Sequence, residues 1–111
     1  MSLDITFIER KNVLCPHCGE VATTEDIDAV ESGGRCWYDV LESIGYYVPH
    51  DKCTEENDWY GKDMILTKEQ ATEVYQKIRA DIFGFYEGVG VMKLIAQAIM
   101  NENQVVVNAN W

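Results

Sequence analysis

Two cysteines separated by two residues stand near the start of the chain, in Cys15-Pro16-His17-Cys18-Gly19. Thiols at that spacing have three fates: as thiolates they hold a metal, as a dithiol they exchange disulfides, and as reduced, packed groups they do neither. Zinc requires deprotonated sulfurs about 2.3 Å away at tetrahedral angles, and a two-residue turn delivers two of them from one segment. Gly19 lets the backbone turn so that its amides point at the sulfurs. Elsewhere the chemical signals are weaker. Gly84, Gly88 and Gly90 ahead of Lys93 have the spacing of neither phosphate-binding loop and read as an interhelical turn. Asp51, Glu55, Glu56 and Asp58 lack the spacing and central glycine of a Ca²⁺ loop, which leaves a solvated acidic loop. No serine, histidine and acid combination announces nucleophilic catalysis, and two histidines leave few candidates for a general base. No catalytic residue is assigned, and the chain reads as a binding protein rather than an enzyme.

The segment from Val13 to Glu20 resembles the zinc knuckle of zinc-ribbon and rubredoxin-like proteins, in which CPxCG is the typical half-site. A half-site implies a second pair of ligands. His50-Asp51-Lys52-Cys53 repeats the two-residue spacing, so the resemblance implies a Cys3His zinc site made of Cys15, Cys18, His50 and Cys53. Two departures stand against it: zinc ribbons close with a second CxxC, and no glycine trails the pair at His50. Cys36, next to Trp37 in an expected helix, competes for a ligand place and otherwise packs as a small hydrophobe. His17 points outward in most such turns. CPHC is also similar to the active-site dipeptide of a strongly oxidising thioredoxin-fold enzyme, but that fold opens an uninterrupted helix with the pair, and here Gly19 and a short polar step follow. Compact acidic chains with a lone CPHCG knuckle resemble, loosely, small proteins of bacteria and their phages, which names no activity.

Positioning the pair falls to an α+β fold of one domain spanning residues 1–111, with short terminal strands, three to four helices and one long central loop. Asp4-Ile5-Thr6-Phe7-Ile8-Glu9 has strand composition, and the segment from Lys11 to Ala22 reads as a second strand interrupted by the cysteine turn. Thr23 to Gly34 reads as a helix, with Thr24 as N-cap, acids in its first turn and a Gly33-Gly34 stop. Trp37, Val40, Leu41 and Ile44 fall on one face of a short helix that ends at Gly45. Tyr46 to Asp63 is a loop, long enough that something must tie it down: its aromatics Tyr46, Tyr47, Trp59 and Tyr60, or a metal. Thr67 and Gln70 form a capping box for a helix with the stripe Ala71, Val74, Tyr75, Ile78 and Ile82. Val91, Leu94, Ile95, Ala98 and Ile99 mark another helix, and Gln104 to Trp111 reads as a closing strand that pairs with Asp4–Glu9.

Composition narrows the function further. The 111 residues carry a formal charge of −10, from 19 acids against 9 Lys and Arg. A field of that sign repels phosphate backbones, so no direct nucleic-acid binding is expected. Solubility explains the acidity most simply, while a basic protein partner, or imitation of a nucleic acid's charge by an inhibitor, is the sharper reading. No apolar run approaches the ~20 residues of a membrane span. The start has neither the basic residues nor the apolar core of a signal peptide, so a reducing cytoplasm is expected for the four cysteines. The expectation is a small acidic interaction module stabilised by zinc.

Overall fold

Residues 3–49 and 51–111 are described by the structure, a computed structural model. His50 lies outside the described residues. β1 (Asp4–Leu14) and β2 (Val21–Gly33) form one long antiparallel hairpin whose turn is the cysteine segment. A short helix α1 (Trp37–Ser43) follows. Then come a long irregular stretch, strand β3 (Met64–Leu66), helices α2 (Lys68–Ala80) and α3 (Gly88–Met100), and the closing strand β4 (Gln104–Asn110). The strands make one antiparallel sheet in the order β2-β1-β4-β3. No helix among the described residues is long and apolar enough to cross a membrane.

Alternation along the central strands decides which face carries the core. Ile5 and Phe7 of β1 and Val105, Val107 and Ala109 of β4 point to one side, where all three helices pack. The expected stripes do the packing. Trp37, Val40, Leu41 and Ile44 are buried on and just after α1, Ala71, Val74 and Ile78 on α2, and Val91, Leu94, Ile95 and Ala98 on α3. Each Val, Leu or Ile among them withdraws enough apolar surface to contribute about 1.5–3 kcal/mol before entropy is counted. The capping box is present: the Thr67 hydroxyl accepts from the Gln70 N–H at 3.1 Å, and the Thr67 N–H donates to Gln70 Oε1 at 2.9 Å. α1 stops at Gly45, whose φ of 82° is open to glycine and costly to most other residues. Ile82, expected at the end of the α2 stripe, falls instead in a separate 3₁₀ turn, Ile82–Gly84. β4 pairs with β1 from Asp4↔Asn110 to Arg10↔Gln104, which is the predicted pairing of the terminal strands.

Two expectations change. The segment from Thr23 to Gly34 is not a helix but most of β2, and Lys11–Leu14 is not a separate strand but the outer end of β1. The terminal strands are accordingly not both short, since β1 runs 11 residues. The helix reading rested on Thr24 and the acids after it, which are weak local preferences. Residue-by-residue pairing with β1 overrides them, and Thr23, Thr24, Ile27 and Val30 are β-branched residues that suit a strand.

The long loop is tied down by rings. Tyr46 is fully buried, donates its hydroxyl to the Lys62 carbonyl at 2.7 Å and accepts from the Ala109 N–H at 2.8 Å. Trp111 sets its ring edge-on against Tyr46, Tyr47 and Tyr60 at 6.0, 5.2 and 5.0 Å. Trp59 lies 6.4 Å from Tyr46. The loop from Tyr46 to Asp63 is thereby fastened to the end of β4.

Candidate functional site at the tip of the arm

β4 stops pairing with β1 at Arg10, so Lys11–Leu14 and Val21–Glu25 continue as a two-stranded arm, with no third strand among the described residues beside them. The arm begins at a bulge: Glu9 faces Asp28 but Arg10 faces Asp26, which leaves Ile27 as an extra residue on β2. A second irregularity falls between Val13 and Leu14, where Ala22 is the extra residue. Bulges of this kind bend the strand and sharpen its twist. Arg10 anchors the arm's root by donating from Nε to Asp26 at 2.9 Å and from Nη2 to Asp63 at 3.4 Å, joining β2 to the residue before β3. None of residues 11–29 is buried. Ladder hydrogen bonds, not packing, shape the arm.

Leu14 and Val21 close the ladder, and the turn between them carries the two cysteines. The Cys15 N–H donates to the Glu20 carbonyl at 2.7 Å, and the Gly19 N–H donates to the Cys15 carbonyl at 2.9 Å. Gly19 has φ of 75°, the left-handed conformation that glycine adopts without strain. The backbone N–H groups of His17 and Cys18, followed by the Cys18 thiol, direct hydrogen bonds at Cys15 Sγ and hold that thiol below its ordinary pKa. Cys18 and His17 are exposed and Cys15 is half-buried. Two soft donors therefore stand together at the end of a projecting hairpin. Such donors suit zinc, and they amount to half of its coordination shell. A helix-initiating CxxC, as redox catalysis on the thioredoxin pattern requires, is absent from this turn: the pair is followed by Gly19 and a strand.

The other residues expected with the pair lie elsewhere. Cys53 is exposed and shares a cleft of about 250 Å³ with Tyr47, Val48, Asp58, Tyr60 and Trp111. That cleft sits at the end of the sheet where Ile5 pairs with Ala109, nine strand positions from Leu14 and so about 30 Å away at ~3.3 Å per residue. The sheet thus keeps Cys53 apart from Cys15 and Cys18, and the loop it belongs to is held by aromatic rings. Among the described residues no three His, Cys, Asp or Glu side chains converge on a metal position. Cys36 is half-buried just ahead of α1, with burial, and then Asp81, pushing its thiol up. It neighbours Gly34, whose N–H bonds the Leu3 carbonyl at the end of the sheet opposite the arm.

Glu9 escaped the sequence reading. It sits on the core side of β1 in line with Ile5 and Phe7, 0% exposed. Its carboxylate accepts from Gln97 Nε2, from Asn103 Nδ2 at 2.7 Å and from Asn101 Nδ2 at 3.3 Å. Burial by itself would push this carboxyl up; the amides of Asn103, Gln97 and Asn101 outweigh it and hold the group below the usual carboxylate range. It ties the root of the arm to the end of α3. The only sequence signal is an acid at an inward position of an otherwise apolar alternation.

Compared with protein-family models, curated proteins and solved structures, the chain matches none.

Proposed function

We propose that the chain is a small, non-enzymatic interaction module of the cytoplasm whose contact element is the β1–β2 arm, with Cys15 and Cys18 as a zinc-binding tip. One observation carries this reading: a cysteine pair with its sulfurs exposed or half-exposed stands on an arm that contributes nothing buried to the core. Exposed apolar side chains on the arm, Leu14 and Val21, and Ile27 at the bulge where it begins, fit a contact role, since an isolated ribbon gains nothing by carrying them in water. Zinc at the tip stiffens the turn and leaves the body to its own core.

Replacing residues 12–24 by Asn-Gly, a two-residue hairpin turn, separates the two roles. The shortened chain should melt within a few degrees of the parent and lose zinc uptake, measured by metal analysis after desalting. Cys15→Ser/Cys18→Ser in the full-length arm should lose zinc in the same way. Zinc retained by either variant places the metal elsewhere and ends this reading.

A second reading has its own support. β2 is an edge strand bearing Glu25, Asp26, Asp28 and Glu31 with no basic residue, and its outer backbone groups are unpaired in the sheet. An acidic edge suits a basic protein partner, as an inhibitor or charge mimic would require. Binding of a basic partner along β2 should weaken steeply with salt, and Glu25→Gln/Asp28→Gln should weaken it without touching zinc uptake; salt-insensitive capture would count against it.

A further inference from the structure

We propose that Cys15 and Cys18 are half of a zinc site that a second copy of this chain completes, two arms meeting tip to tip around one Zn²⁺ held by four thiolates. The inference rests on reading the tip as zinc-binding and adds what supplies the missing ligands. Zinc in a structural site takes four donors, and the tip offers two sulfurs. The chain's other cysteines stand at the opposite end of the sheet, Cys53 beside Trp111 and Cys36 beside Gly34, roughly 30 Å from the turn at ~3.3 Å per strand residue. Because β4 ends its pairing at Arg10, no strand or helix among the described residues pairs beside the turn, and the exposed Cys18 is open to an approaching molecule.

Three features favour a second copy over any other donor. The first is charge. The chain carries −10, but residues 11–21 contain one Lys (Lys11) and one Glu (Glu20), so the tip is neutral. Tip-to-tip is an approach in which identical acidic chains meet without like charge at the contact. Four arm residues at ~3.3 Å each, plus the turn, doubled, keep the two bodies on the order of 30 Å apart, several Debye lengths at physiological salt. The second is the apolar pair beneath the turn, Leu14 and Val21, 57% and 54% exposed and directly opposite each other. Another tip bearing the same pair would cover them. The third is symmetry: two identical CxxC turns related by a twofold axis present four equivalent sulfurs, which is a complete tetrahedral set. The step balances as Zn²⁺ plus four thiols giving a four-thiolate zinc centre, with four protons leaving to solvent.

The test uses the full chain, reduced with a phosphine, and Zn²⁺ alone as the probe. Light scattering and native mass spectrometry at half an equivalent of zinc should show a twofold mass, two chains and one metal, which returns to a single chain with EDTA. Co²⁺ in place of zinc should give the intense visible bands of a tetrahedral four-thiolate site. Cys18→Ser should remain a monomer and lose its zinc on desalting, while Cys53→Ser should behave as the parent. One zinc on a single chain would overturn the tip-to-tip site and leave the zinc-binding arm standing. No zinc uptake would end both. A dimer that survives EDTA, or forms in Cys18→Ser, would place the contact elsewhere and overturn the proposal.

Discussion

Replacing Glu9 by Gln keeps the shape of a fully buried side chain and removes its charge, so the loss is confined to the hydrogen bonds. The carboxylate accepts from three amides and has no cation beside it. Asn101 and Asn103 both donate to Oε2, and Gln97 donates to Oε1. A glutamine at position 9 retains one carbonyl oxygen for the two asparagines and turns an NH₂ toward Gln97, whose own amide must rotate to accept. Two charge-assisted bonds become neutral ones and one partner is reoriented. Bonds to charged groups contribute about 1.5–3 kcal/mol each and neutral ones about 0.5–1.5, so the net cost at pH 7 is about 1–3 kcal/mol. For a domain of this size that lowers Tm by roughly 4–12 °C. The pH dependence distinguishes this account from simple repacking. Glu9 has its folded pKa below the unfolded value, so its contribution is present above the unfolded pKa, near 4.5, and is lost as pH falls through the folded pKa. The parent should therefore lose stability below about pH 5 faster than Glu9→Gln, and the gap between the two should close toward pH 3. Relief of repulsion among the other acids is common to both proteins and cancels in the difference. Urea unfolding followed by the fluorescence of Trp37, Trp59 and Trp111 reads it directly. Parallel stability curves from pH 7 to pH 3, or a glutamine variant more stable than the parent at pH 7, would refute the reasoning.

Trp111→Ala removes three edge-on ring contacts, each about 0.5–1.5 kcal/mol beyond burial. It should destabilise the protein by about 2–4 kcal/mol and speed hydrogen exchange between Tyr46 and Asp63; unchanged exchange there would mean that the loop is held by something else. Thr67→Ala should cost about 1 kcal/mol through loss of the capping box, with Thr67→Ser recovering most of it in the same melting assay. Arg10→Ala breaks two half-exposed ion pairs and should change stability by less than about 1 kcal/mol; a much larger loss would show that the arm's root is structurally coupled to the core.

What could be read from the chain alone was whatever local chemistry decides. The capping box at Thr67 and Gln70, the apolar stripes of α1, α2 and α3, and the Gly45 stop are each specified within a few residues, and apart from Ile82, which leaves α2 for a 3₁₀ turn, they are found where their spacing puts them. The pairing of β4 with β1 was also legible, because β-branched runs at the two ends of a small chain have few other partners. Thr23–Gly34 was not. A strand whose side chains are exposed from Val21 to Ala29 has no hydrophobic period to announce it, and only the register with β1 makes it one. The cysteine pair was recognisable as two donors, but their setting on a projecting turn, with Cys53 across the length of the sheet, follows from where β4 ends its pairing. Glu9 shows the same limit. An acid in the core side of a strand contradicts every local preference, and it is tolerated because Gln97, Asn101 and Asn103 arrive from the far end of the chain to satisfy it. Local preferences act through neighbours in sequence, whereas hydrogen-bond satisfaction and strand register act through neighbours in space, and only folding brings those together.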